Sequence, residues 1–112
     1  MILAPTLAIN GSYGLATVEY NAVVVSGAGS TEINGTYTMT GTHNGKPYYN
    51  KGGFSVFDQF AISNSGAGWE IYDEGGDILY ETSNNPAFPW LVTSWVVSIG
   101  VLPVPELTPT TV

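Results

Sequence analysis

A chain of 112 residues has room for one hydrophobic core and not for two, and its net charge of −7, with only two Lys or Arg, leaves no cationic surface to set against phosphates; nucleic acid and anionic membrane are set aside as partners. Charged residues make up 10% of the sequence, well under the roughly 25% of a typical soluble domain, so Ser, Thr, Asn and 14 glycines must face water in their place, a balance that suits strands and turns. Without cysteine there is no disulfide and no thiolate metal site, and stability must come from packing or association.

Residues 1–25 read as an apolar arm: Ile2-Leu3-Ala4, Leu7-Ala8-Ile9, a turn at Asn10-Gly11, and a β-branched strand candidate from Leu15 to Val25. Pro5 interrupts the start, which has neither a charged n-region nor a sustained apolar stretch of the secretory type, and no apolar run reaches the length of a membrane span. Ile2, Leu3, Leu7, Ile9, Val23, Val24 and Val25 supply more apolar surface than a small core filled from the middle of the chain can take. The arm is therefore predicted to be an assembly element.

Residues 26–105 read as an all-β domain. Strands are predicted over Gly35 to Met39, Pro47 to Asn50, Ser55 to Ile62, Trp69 to Asp73 and Ile78 to Thr82. Turns fall at Asn44-Gly45, Gly52-Gly53, Ser65-Gly66-Ala67-Gly68 and Gly75-Gly76. Leu91 to Ile99, after Pro89, fits either a turn or two of helix or a strand. Residues 106–112 close the chain as a Pro/Thr-rich tail. The expected fold is a small antiparallel β-sandwich or barrel with an extended N-terminal arm and a Pro-rich C-terminal tail.

Few residues invite chemistry. The pairs Asn34-Gly35 and Asn44-Gly45 supply the positive φ that hairpin turns need, and Asn10-Gly11-Ser12 and Asn34-Gly35-Thr36 match a glycosylation acceptor only in pattern. His43, the single histidine, has no carboxylate or second imidazole at a metal-ligand spacing. Asp73, Glu74 and Asp77 crowd one loop without the spacing of a calcium-binding loop, and Glu70, Asp73 and Glu81 are carboxylates without an argument for pairing. No catalytic residue, metal or cofactor is predicted. Trp69, Trp90 and Trp95, with Tyr37 and Tyr49, serve either as core or as a stacking platform for sugars, and strand alternation places Trp69 and Ile71 together on the core side.

The succession VSGAGSTEINGTYTMTGTHNGKPYY, GWEIYD, ILYETS, NPAFPW and LPVPELT resembles a small all-β domain of bacteriophage virion proteins, of the capsid-decorating, head-fibre and tail-fibre kind. The resemblance runs from about Val25 to Pro105 and rests on Gly27, Gly29, Asn34, Gly35, Tyr37, Gly41, Asn44, Gly45, Pro47, Tyr49, Trp69, Ile71, Tyr80, Pro89, Trp95, Pro103 and Pro105. GGFSVFDQFAIS departs from it, where a tyrosine-rich strand is more usual. The resemblance implies a non-enzymatic structural protein on the capsid surface of a virion. Its partners would be copies of itself, as a homo-oligomer, and a major capsid or other virion protein. The alternative is a carbohydrate-binding module of a phage fibre or receptor-binding protein.

Overall fold

A computed structural model describes residues 19–51 and 60–112, and within them the backbone alternates short extended runs with glycine- or asparagine-centred turns. Eight strands result: β1 (Ala22–Ser26), β2 (Gly35–His43), β3 (Lys46–Lys51), β4 (Phe60–Asn64), β5 (Trp69–Tyr72), β6 (Ile78–Glu81), β7 (Val96–Val97) and β8 (Glu106–Thr110). The only helical elements among the described residues are two single 3-10 turns, Thr31–Ile33 and Pro89–Leu91. The strands form one antiparallel sheet in the order β7-β6-β5-β4-β3-β2-β1-β8. The fold is thus all-β as expected, as one sheet curled into a half-barrel.

Local chemistry sets each hairpin. Asn44 and Gly45 take φ values of 55° and 75°, the two positive angles of a type I′ turn, whose twist matches the strands β2 and β3 that it joins. Between β5 and β6 the Asp73 carboxylate accepts hydrogen bonds from the backbone N–H groups of Gly75 and Asp77, both at 2.9 Å. The crowded acidic loop is therefore a side-chain-capped turn.

Period-two alternation builds the core. On the concave face Tyr49, Ile62, Ile71, Tyr80 and Val97 stand directly opposite one another in successive strands, a continuous row from β3 to β7. Val23, Val25, Ile33, Tyr37, Trp69 and Leu79 complete a single buried cluster with them. Trp69 is fully enclosed, and its indole N–H donates to the Pro86 carbonyl at 2.9 Å. The aromatic body is thereby dry while its one polar atom is satisfied.

Parts of the expected arm and tail are strands of the sheet. Val23, Val24 and Val25, read from sequence as part of an assembly arm, lie in β1, which pairs with β2 on one side and β8 on the other; Val23 and Val25 are buried in the core. The expected tail is mostly β8. Its Pro109 is tolerated because β8 is an edge strand, where an outward position needs no ladder N–H. The described sheet runs from Ala22 to Thr110. The stretch from Leu91 to Ile99 holds the end of a 3-10 turn and the two-residue β7, and the strand expected from Ser55 is described from Phe60 to Asn64. Ile2, Leu3, Leu7 and Ile9 lie outside the described residues.

Two crossings complete the half-barrel. Residues 82–95 pass over one end, where Pro89–Leu91 packs near β8, and residues 98–105 form a strap across the other. The strap is clasped to the loop after β1: Gly29 N–H donates to the Pro103 carbonyl at 2.9 Å, and Val101 N–H to Ser30 Oγ at 2.9 Å. A Cβ on Gly29 would run into the Leu102 carbonyl, so glycine is required by the approach of the two backbones. Gly29→Ala is expected to cost roughly 1–3 kcal/mol, seen as a lower urea midpoint, through forced separation of strap and loop. Trp69→Ala should cost about 3–5 kcal/mol by the same measurement, and a loss under about 1 kcal/mol would contradict its place in the core.

Candidate functional site

Among the described residues, His43, Glu70 and Asp73 each make hydrogen bonds within the fold. His43 Nδ1 lies 3.1 Å from both the Ser63 hydroxyl and the Asn64 carbonyl oxygen. Whichever of the two oxygens Nδ1 bonds, the contact holds the imidazole against the end of β4. The contact, together with Asn44 Nδ2 donating to the same carbonyl at 2.6 Å, ties the β2–β3 turn to the end of β4. Sequence reasoning does not find it because twenty residues separate the partners.

Glu70 accepts a hydrogen bond from the Tyr72 hydroxyl two residues along β5 and stands opposite Glu81 across the β5–β6 ladder. Asp73, as described, caps its own turn. No group of three or more His, Asp or Glu that could hold a metal ion occurs among the described residues. Asn34, in the second acceptor-like triplet, uses its side chain on both backbone polar groups of Ala28, accepting from the N–H at 3.0 Å and donating to the carbonyl at 3.3 Å.

The aromatic residues divide into two sets. Trp69, Tyr37 and Tyr49 are enclosed in the core, with the Tyr37 hydroxyl donating to the Ile33 carbonyl at 2.7 Å. Trp90 and Trp95 are half-buried along the gap between β7 and β8, where the sheet fails to close into a full barrel. Trp90 stacks face to face on Phe88 at a ring-centre distance of 4.7 Å and takes the edge of Tyr20 at 5.8 Å. These rings use one another's faces. The neighbouring Asn84 and Asn85 are also engaged, Asn84 accepting from Thr93 N–H and Asn85 bonding to Asn64 and Gly66.

This gap is the most distinctive surface of the described residues. On one side it is a groove of about 590 Å³ lined by Trp90, Val92, Trp95, Val104, Glu106 and Thr108. Trp95 and Val104 also line the adjoining trough of about 690 Å³, whose other walls are Val96, Val97, Val101 and Leu102. Of the exposed large apolar side chains, Val96, Val101 and Leu102 line this trough, and Phe88, Leu91 and Ile99 belong to the same stretch of chain. Trp90 and Trp95 are legible in the sequence as candidates, but Ile99, Val101 and Leu102 are not. The signal for them is a run of 24 residues, Thr82 to Pro105, without one ionisable side chain in an acidic chain. Charge-free runs of this composition belong in a core or at a contact, and here only part of the run is buried.

No protein-family model, curated protein or solved structure matches the chain.

Burial has one titratable consequence. It pushes the Tyr49 phenol up to about 12, and raises Tyr37, with a smaller contribution from the Glu32 carboxylate, and Tyr72, with further contributions led by the hydrogen bond to Glu70. A phenol whose folded pKa lies above its unfolded value near 10 keeps its proton better when folded, so its stabilising effect is complete below about pH 10 and is lost as pH rises through the folded values. Stability should accordingly be flat up to about pH 10 and fall beyond it. Absorbance at 295 nm should show Tyr37, Tyr49 and Tyr72 ionising together with loss of the sheet signal; ionisation of all seven tyrosines near pH 10 with the sheet intact would contradict their burial.

Proposed function

We propose that this chain is a non-enzymatic structural protein of a virus particle, which decorates or cements a capsid by associating with copies of itself and with a major capsid or other virion protein. The observation that carries this reading is the segregation of surface chemistry: all eleven charged side chains lie outside residues 82–105, while six large apolar side chains between Phe88 and Leu102 face water. A stretch that carries exposed apolar side chains and no charge of its own has the composition of a contact. The resemblance of the turn and strand succession to phage virion domains supports the same reading. So do the hydrogen bonds by which His43, Ser63, Asp73 and Glu70 tie turns and strands together.

Residues 1–18 contain no charged side chain, and Ile2, Leu3, Leu7 and Ile9 remain the anchoring residues of the proposal. Burying four such side chains against a partner contributes roughly 6–12 kcal/mol before ordering costs. The alternative, carbohydrate binding, rests on Phe88, whose exposed ring lies stacked on Trp90 at the surface.

Co-sedimentation with particles stripped of this protein tests the reading. The full chain should rebind and saturate at a fixed number per particle, and a chain lacking Met1 to Gly14 should keep its sheet signal and lose rebinding at least tenfold. Failure of the full chain to rebind, combined with binding to a glycan array that Phe88→Ala abolishes, would replace the assembly reading with the carbohydrate one. A truncated chain that rebinds normally would remove the anchoring role.

A further inference from the structure

We propose that the groove between the Pro89–Leu91 turn and β8 binds a neutral saccharide of one or two rings, with Trp95 as the stacking surface and Glu106 as the principal hydrogen-bond acceptor. The site lies away from Phe88, on which the carbohydrate reading above turns, and it does not depend on whether the chain joins a particle. Its volume of about 590 Å³ falls within the roughly 300–1,000 Å³ of small-molecule sites. Two walls enclose it. One is the crossing of residues 82–95, which brings Trp90, Thr93, Ser94 and Trp95; the other is β8, which brings Glu106 and Thr108. Alternation sets Glu106 and Thr108 on one face of β8, while Leu107 between them packs against the core.

The groove differs from the apolar trough beside it in having polar groups left to bind with. Thr93, Ser94, Glu106 and Thr108 are exposed, and among the described residues none of their side chains is taken up by a hydrogen bond within the fold. Hydroxyls elsewhere are spent on the structure: Ser30 accepts from Val101 N–H, Thr40 donates to Asn50, and Thr82 accepts from Asn84 N–H. The same contrast holds for the indoles. Trp69 N–H is bonded to the Pro86 carbonyl, whereas the N–H groups of Trp90 and Trp95 bond to no described residue. Trp90 is occupied by Phe88 and Tyr20; half-buried Trp95 is stacked on no described ring and is the indole left to receive a ligand.

These groups select the ligand class. A sugar ring has an apolar C–H face for an indole and, around its rim, hydroxyls that both donate and accept, which matches one carboxylate and three hydroxyls set beside an aromatic ring. Two adjacent sugar hydroxyls can donate to the two oxygens of a single carboxylate. Phosphorylated, sulfated or carboxylated ligands meet the Glu106 carboxylate and a net charge of −7. A fatty chain would cover the same carboxylate without giving it a partner. An organic cation would find that carboxylate but no pair of open aromatic faces, since Phe88 and Tyr20 occupy Trp90. A neutral saccharide is the class that uses the hydroxyls, the carboxylate and the indole together.

The assignment is tested by titrating the full chain with glucose, galactose, mannose and N-acetylglucosamine and with their neutral oligosaccharides, followed by tryptophan fluorescence and calorimetry. At least one of these should bind with a millimolar or tighter dissociation constant, and its sialylated or sulfated counterpart should bind at least about tenfold more weakly. Glu106→Gln should weaken the binding about tenfold and Thr108→Val about fivefold, the scale of a lost charge-assisted and a lost neutral hydrogen bond. Both side chains are exposed, so the melting temperatures should not change. Trp95→Leu, checked for an intact sheet spectrum, should abolish binding. No binding by any of these sugars overturns the proposal. So does binding that neither Glu106→Gln nor Thr108→Val weakens; if Phe88→Ala abolishes it instead, the sugar site is the exposed Phe88 ring. Choline in the same titration should not bind, and a choline complex weakened by Glu106→Gln would replace the saccharide with an organic cation.

Discussion

The Tyr80 hydroxyl holds the curl of the sheet. It accepts from Ser30 N–H at 3.0 Å and donates to the Val101 carbonyl at 2.5 Å, joining β6 to the loop that follows β1 and to the strap that crosses between them. β1 and β6 are separated by four strands in the sheet, so these bonds form only when the sheet bends far enough to bring its two ends together. One phenolic oxygen here satisfies a buried donor and a buried acceptor, either of which would cost about 1–3 kcal/mol if left alone. The Ser30 side chain repeats the arrangement one step away, accepting from Val101 N–H. Curvature, strap and core closure are thus consequences of one local polar cluster in an otherwise apolar interior.

Closure of the two ends explains how so small a domain encloses a core without disulfides. A flat sheet of these strands would bury one face only against something else. Bending lets the concave face pack against itself, and the crossings at residues 82–95 and 98–105 cover the openings at either end. Both crossings must be long and must contact apolar surface, which accounts for their lack of charge. The same composition leaves the outward side of the strap apolar, so the device that closes the fold also shapes its most conspicuous surface.

The hairpins and the middle strands are legible in the sequence because their determinants are local: paired positive φ at Asn44-Gly45, an aspartate that caps its own turn, and alternation that sets Trp69 and Ile71 against Glu70 and Tyr72. The ends of the sheet are not legible in that way. Proline at 109 reads as tail, since only knowledge that β8 is an edge makes it compatible with a strand. Val23 to Val25 read as surplus because β8, which turns β1 into an interior strand, lies more than 80 residues away in the chain. The Tyr80–Ser30 bond spans 50 residues and has no sequence signature. Of the exposed apolar surface, Trp90 and Trp95 stand out as residues, whereas Val101 and Leu102 become visible only when the strap's backbone is seen to be held from the inside.

The positions of the two lysines bear on the endurance of the proposed particle outside a cell. They stand at opposite ends of β3, a strand hydrogen-bonded on both sides, and the chain has no arginine to supplement them. Lys46 is followed by Pro47, whose ring blocks the backbone alignment that digestive serine proteases require on the departing side of the cut. The Lys51 ammonium is bound to the Glu32 and Asn34 carbonyl oxygens and rests 4.8 Å from the centre of the Phe60 ring, so it must be detached before it can enter an enzyme's specificity pocket. An enzyme that reads basic side chains would therefore find only two to read, and resistance to it would depend on where those two side chains stand as much as on the stability of the sheet.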